Sequence, residues 1–407
     1  MTPKKTSGSK TVFMLASLLA TSIVTAQQTT VVDSSLLNRV AALEQQVADH
    51  KPGESHFMVV GLATFGFANS KTTFTPPGGP SQTSKTNSFA DADRYEFSPM
   101  LLWRHGTKWL VEFEPSYTGG SLEVNWADII YFAAPGLMIR GGYFVLPFGI
   151  YNRRLAAGWI NKLAPDPVGL DLPGTDFGVE VSGGLPLGNM KWSYAISLSN
   201  GLQLLPDGEL QNAGITDNNN NKTVCGRFGL LPFSNSSLEI GVSGLYGGVA
   251  DAGSNYHNAN STMYGADLSY VKKFDPILVN MKGQISRALV NSQQYLKPTD
   301  SLPYTFDNKS TSAFAQLSLR PVSTESKLLN DLELAFRYVN YTTPDNSIWG
   351  QKYHEEDIGL DYWLSWRAVL KFTYAKTHAL STANVSAGGT PGVLNTSNIY
   401  LQFSIQL

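Results

Sequence analysis

Cysteine is nearly absent: Cys225 stands alone in a chain of 407 residues. That excludes an intrachain disulfide framework and any multi-cysteine metal site. Charge is scarce as well, at 15% Asp, Glu, Lys and Arg against about a quarter in an average soluble domain. The net charge of −2 excludes the basic surface of a nucleic-acid binder. Beyond the N-terminal leader no apolar run reaches the ~20 residues a membrane-spanning helix needs.

Catalytic signatures are missing too. No Gly-x-Ser-x-Gly stands at a strand-to-helix junction. The six histidines are scattered, none beside a suitable serine. Tyr353–Asp357, "YHEED", lacks the second histidine of a zinc helix and reads as a solvated strand entrance. "SGGLPLGN" lacks the Gly-Lys-Ser/Thr end of a phosphate loop and reads as a tight turn. The expectation is a protein that is not an enzyme and needs no cofactor or metal.

What is abundant is glycine (37), with Tyr 18, Phe 20 and Trp 8, as many short strands and tight turns require. Residues 1–26 read as an export signal: Lys4, Lys5 and Lys10, then apolar Val12 to Val24, then Val24-Thr25-Ala26 before the cleavage point. Residues 27–55 hold a coiled-coil segment and linker. Leu36, Val40, Leu43 and Val47 make an a/d seam of about two heptads, too short to persist unless several copies are held together. Lys51-Pro52-Gly53 ends it.

From His56 to Leu407 the period is two. Ile399, Leu401, Phe403 and Ile405 alternate with Tyr400, Gln402, Ser404 and Gln406. About sixteen such segments, many near the ~10 residues of a tilted spanning strand, are joined by alternately long and short links. That parity predicts an all-β, antiparallel transmembrane β-barrel in the outer membrane of a bacterium. Its long links face outward and its N-terminus is periplasmic. Trp103, Trp109, Trp126, Trp192, Tyr194 and Tyr362 are the expected interface aromatics.

The third outward link contains "PFGIYNRRLAAGWINKLAPDP", charged and partly helical between two strands. Folded into a polar lumen, it would set size and charge selectivity. Arg153, Arg154 and Lys162, with Arg140 on the preceding strand, are the expected constriction residues, and Asp166 and Asp171 their counter-charges. Lumen positions by strand parity include Arg94, Arg104, Glu112, Glu123, Arg227 and Arg337. Basic and acidic residues on that face come out equal in number. A strongly phosphate-specific field needs an excess of positive charge, so the expectation is a general or weakly anion-preferring channel.

"GYFVLPFGIYNRRLAAGWINKL", "DFGVEVSGGLPLGNMKWSYAISLSNG" and "NNNNKTVCGRFGLLPFSNSSLEIGVSG" resemble parts of Bacteroidetes outer-membrane porins, grouped with the phosphate-selective porin O/P family. The resemblance implies a sixteen-stranded homotrimer in outer-membrane lipid that passes small hydrophilic solutes or anions, some relatives carrying an N-terminal coiled coil. Two features depart from it: the chain ends in Leu407 rather than an aromatic, and no phosphate-binding set of lysines and arginines aligns. Two other readings stay open: a specific channel for a siderophore, oligosaccharide or phosphate-type ligand, and a secreted all-β binding protein.

Overall fold

The computed structural model describes residues 54–89, 95–217, 219–254, 256, 258–291 and 293–407. The leader, the seam residues Leu36, Val40, Leu43 and Val47, and Arg94 lie outside the described residues.

Sixteen strands form the wall: β1 (Ser55–Thr75), β2 (Tyr95–His105), β3 (Trp109–Thr118), β4 (Ser121–Ala134), β5 (Leu137–Val145), β6 (Thr175–Leu187), β7 (Met190–Ser199), β8 (Thr223–Leu231), β9 (Leu238–Gly248), β10 (Asn260–Phe274), β11 (Ile277–Val290), β12 (Lys309–Pro321), β13 (Leu332–Thr342), β14 (Gln351–Ser365), β15 (Ala368–Ser381) and β16 (Val393–Gln406). Each pairs antiparallel with its sequence neighbours. β1 closes the ring, with Ser55 to Phe65 against β2 and Leu62 to Thr75 against β16. A further segment, Gln82–Ser88, continues the pairing along Ala68 to Phe74 of β1. Closure leaves no spanning strand with an unpaired edge, the condition for crossing hydrocarbon with strands.

Burial is inverted relative to a water-soluble protein. On β15, Leu370 and Phe372 are 45% and 43% exposed on the outside, while Lys371 and Thr373 between them are 3% and 0% exposed on the inside. Ile399 and Leu401 of β16 face outward and Ser404 is buried, as the alternation predicts. The apolar face therefore looks at the surroundings and the polar face at the interior.

The links keep the predicted parity. One end carries 106–108, 135–136, 188–189, 232–237, 275–276, 322–331 and 366–367; the other carries 76–94, 119–120, 146–174, 200–222, 249–259, 291–308, 343–350 and 382–392. Two depart in length. Link 119–120 is a bare turn of Gly119 and Gly120, at φ 57 and 97. Link 322–331 is longer because it holds one helical turn, α1 (Lys327–Asn330), with Ser326 as its N-cap. Trp103, Trp109 and Trp366 are exposed on the outside at the short-link end, and Trp192 stacks there on Tyr194 and Phe228. Trp126 corrects the expected girdle. It faces inward, its ring 5.2 Å from the Arg140 guanidinium.

At the long-link end four loops are packed together by aromatic rings. Tyr295 is fully buried, with its ring centroid 4.5 Å from Phe306, and Tyr256, Tyr304 and Trp349 join the cluster. Tyr256 and Tyr304 donate their hydroxyls to the carbonyls of Pro206 and Asp207.

Candidate functional site: the inward-folded loop 146–174

Leu146 and Phe148 are buried in the cluster that includes Leu245 and Met263 of the wall, so the chain leaving β5 turns inward at once. Gly149 makes the turn with φ +62, and a Cβ there would meet the Gln284 amide at 2.2 Å. The Gly149 amide donates to Ser243 Oγ (3.0 Å), and the Ile150 and Tyr151 amides donate to Gln284 Oε1 at 2.7 and 3.0 Å. Wall side chains thus satisfy backbone donors that open the one helical turn, Tyr151–Leu155.

Beyond the turn the loop crosses to the far wall. Gly158 passes so close to β1 and β16 that a Cβ would lie 2.7 Å from Thr64 Oγ1 and 2.8 Å from Ser404 Oγ. Lys371 Nζ donates to the carbonyls of Gly158 (2.7 Å) and Asn161 (3.1 Å). Leu163 is fully buried and the Ala164 amide donates to Thr373 Oγ1 at 3.3 Å. Arg337 of β13 donates to the Pro165 carbonyl. Asn152 ties the two limbs together by donating to the carbonyls of Leu170 and Pro173.

The expected constriction residues divide by environment. Arg153 folds back under the loop, donating to the Val145 carbonyl at 2.8 Å and forming a two-pronged pair with buried Glu180. Burial pulls its guanidinium below the ordinary value and Glu180 opposes that pull. Arg154 is 46% exposed to the interior space and pairs with Glu239 at 2.6 Å. Lys162 pairs with Glu333 at 3.1 Å, its ammonium 4.3 Å from the Trp363 ring centroid. Arg140 sits on the wall between Glu112 (3.3 Å) and Asp128 (3.5 Å). Asp166 accepts from Asn161 at 2.7 Å rather than meeting a cation of the loop. Asp171 is exposed, beside Glu209 and Tyr341 at a small cavity of about 80 Å³ on the long-link side.

The expected lumen residues other than Arg94, which lies outside the described residues, have these surroundings. Arg227 bridges Asp267 (2.6 Å) and Glu239 (3.0 Å). Arg337, with its side chain 1% exposed, lies between Asp357 (2.7 Å) and Glu355 (3.6 Å). Arg104 donates to the Gly106 carbonyl beside its short turn (3.2 Å), and Glu123 is exposed opposite Ser116 near the long-link end.

Sequence parity missed several participants. Asp128 escaped because the register slips at Glu114/Pro115, so that Glu114 faces Trp126 and Pro115 faces Val124 with Asn125 extra between them. That bulge reverses which residues of β4 point inward. "YHEED" is corrected: Glu355 and Asp357 are buried, not solvated, and hold Arg337. Gln284 had no sequence signal, since its role depends on a loop 134 residues away in the chain.

On the short-link side of the loop lies a cavity of about 380 Å³. Its polar wall comes from Arg154, Lys162, Lys282, Asn161, Asn280 and Gln316, and its apolar wall from Leu155, Trp159 and Ile160. Three cations and no carboxylate face it. Lys282 Nζ contacts Ser269 Oγ rather than an acid.

No protein-family profile matches the chain, and no curated protein sequence does. Solved structures do match in fold. The anion-selective porin from Comamonas acidovorans superposes with a TM-score of 0.52 at 12% identity, over 87% of this chain and 100% of that one. The outer-membrane channel DcaP of Acinetobacter baumannii gives 0.51 at 11%, with the same coverage. OprB of Pseudomonas putida gives 0.51 at 8%, over 90% of this chain and 97% of that one. At these identities the likeness is one of architecture: the chain has the fold of outer-membrane porins.

Proposed function

We propose that this chain is an outer-membrane porin for passive diffusion of small hydrophilic solutes, with a weak preference for anions set by the inward loop. The observation that carries the reading is the cavity beside that loop, lined by Arg154, Lys162 and Lys282 without a facing carboxylate. The preference is weak because Glu239 and Glu333 stand behind two of those cations and cancel part of their field. Arg153, deeply paired with Glu180, positions the loop rather than meeting solutes. The matching architecture of the Comamonas anion-selective porin supports the same reading. Kinship with the phosphate-selective O/P group rests on the quoted segments, and the balanced lumen argues against strong phosphate specificity.

In this reading the signal is removed, the N-terminus and short links lie in the periplasm, and the coiled-coil segment within 27–55 joins copies of a homotrimer beneath the membrane. A sugar-stacking channel would display aromatic rings along its passage. Here the loop tyrosines Tyr256, Tyr295 and Tyr304 are spent on packing against one another, and the cavity beside the inward loop presents Tyr151 and Trp159 rather than a continuous aromatic track. Reversal potentials in planar bilayers under a salt gradient test the proposal. A small shift toward the anion potential is expected; strong cation selectivity would overturn it.

A further inference from the structure

His354 of β14 and His378 of β15 are direct register partners, with ring centroids 4.9 Å apart. They lie on the outward face, in line with exposed Ile358 and Leu360 on one strand and Phe372 and Tyr374 on the other. Asparagines flank them at the same level: Asn340 is the partner of His354 on β13, and Asn395 the partner of His378 on β16. The row Asn-His-His-Asn crosses four neighbouring strands.

Its height matters. From Trp366 in the short link, the strand climbs about 30 Å along the barrel axis to His378, taking ~3.3 Å per residue and a tilt of ~40°. That passes the apolar band of ~25 Å. Below the pair come Glu356 and Lys376, register partners of each other, and then the apolar Ile358 and Tyr374. The imidazoles therefore stand just above the hydrocarbon, where water and ions reach them.

The chemistry of the pair is that of a ligand set. The Asn395 amide oxygen lies 2.7 Å from His378 Nδ1. An oxygen of that kind only accepts, so the Asn395 contact selects the tautomer with its proton on Nδ1, which leaves Nε2 of the neutral ring as the ligating nitrogen, the usual way an outer partner fixes a ligating tautomer. Two imidazoles bound through ~2.05 Å bonds to one tetrahedral ion would have ring centroids about 5 Å apart, and the pair already stands at that spacing. Imidazole nitrogen suits zinc, copper and nickel, not magnesium or calcium. Glu356, two residues from His354 on the same face and exposed, adds negative charge, which Lys376 opposite it partly offsets.

We propose that His354 and His378 form a two-histidine site for a divalent cation of the zinc–copper class at the outer rim of the barrel, with water completing the coordination. An ion held there ties β14 to β15 where the wall leaves the membrane. This site is independent of the passage.

The test is Cu²⁺ titration of the detergent-solubilised full chain without a purification tag, read by electron paramagnetic resonance and calorimetry. The expected result is one saturable site with coupling to two nitrogens. H354Q and H378Q should each weaken it at least tenfold and reduce the coupling to one nitrogen. Asn395→Ala should weaken it several-fold through loss of the tautomer lock. Both glutamine variants keep heat-modifiable mobility, because the positions face outward, are only half-buried and lie outside the buried clusters. Unchanged affinity in the two histidine variants, or no saturable binding by the parent, would overturn the proposal.

Discussion

Arg337 shows how a charge survives inside this barrel. Its side chain is almost fully buried between Asp357 and Glu355, and it reaches on to the Pro165 carbonyl of the inward loop. Removing one member of such a group leaves uncompensated buried charge, at a cost of about 3–5 kcal/mol. Arg337→Met should therefore lower the temperature at which the folded electrophoretic form converts to the unfolded one. It should also raise the noise of channel currents, because the loop loses a tether. Arg154 is the contrast. Nearly half exposed, it pairs with Glu239 in a setting where ion pairs are worth about 0–1 kcal/mol. Arg154→Ala should leave the melting temperature within a few degrees of the parent, while shifting the reversal potential toward cations. An unchanged potential would remove Arg154 from the passage.

Strands and loop were legible to different degrees. β16 could be read from Ile399, Leu401, Ser404 and Gln406 alone, because a wall with lipid on one side and water on the other imposes a period of two. β4 could not be followed through Asn125, since a bulge reverses the faces without leaving a mark in hydrophobicity. The length and charge of the 146–174 loop singled it out; of the cations expected at a constriction, Arg154 and Lys162 line the cavity beside the loop, whereas Arg153 is folded back onto Glu180. Strand parity places Glu239 and Glu333 on the lumen face, but which cation each one meets was not legible. Lys162 meets Glu333 and Arg154 meets Glu239, pairs set by barrel closure rather than by local sequence. The strand reading makes its own prediction. Phe372→Arg, on the outward face, should cost about 2–4 kcal/mol in refolding into vesicles if the residue lies near the bilayer midplane. Thr377→Ser, inward on the same strand, should cost less than 1 kcal/mol because it keeps the hydroxyl and loses one methyl group.

The molecule as a whole is a closed tube with a plug-like strap across it. The strap is held by β6, β9, β11, β13 and β15, so its position depends on the complete ring. The aromatic cluster around Tyr295 locks neighbouring loops above it. The most direct measurement is single-channel conductance in planar bilayers, comparing the parent with a variant in which residues 151–170 are replaced by a short Gly-Ser link. The account predicts small, discrete steps for the parent and steps several-fold larger for the shortened loop, with anion preference reduced. Equal conductance in the two, or no channels from correctly folded parent protein, would contradict it.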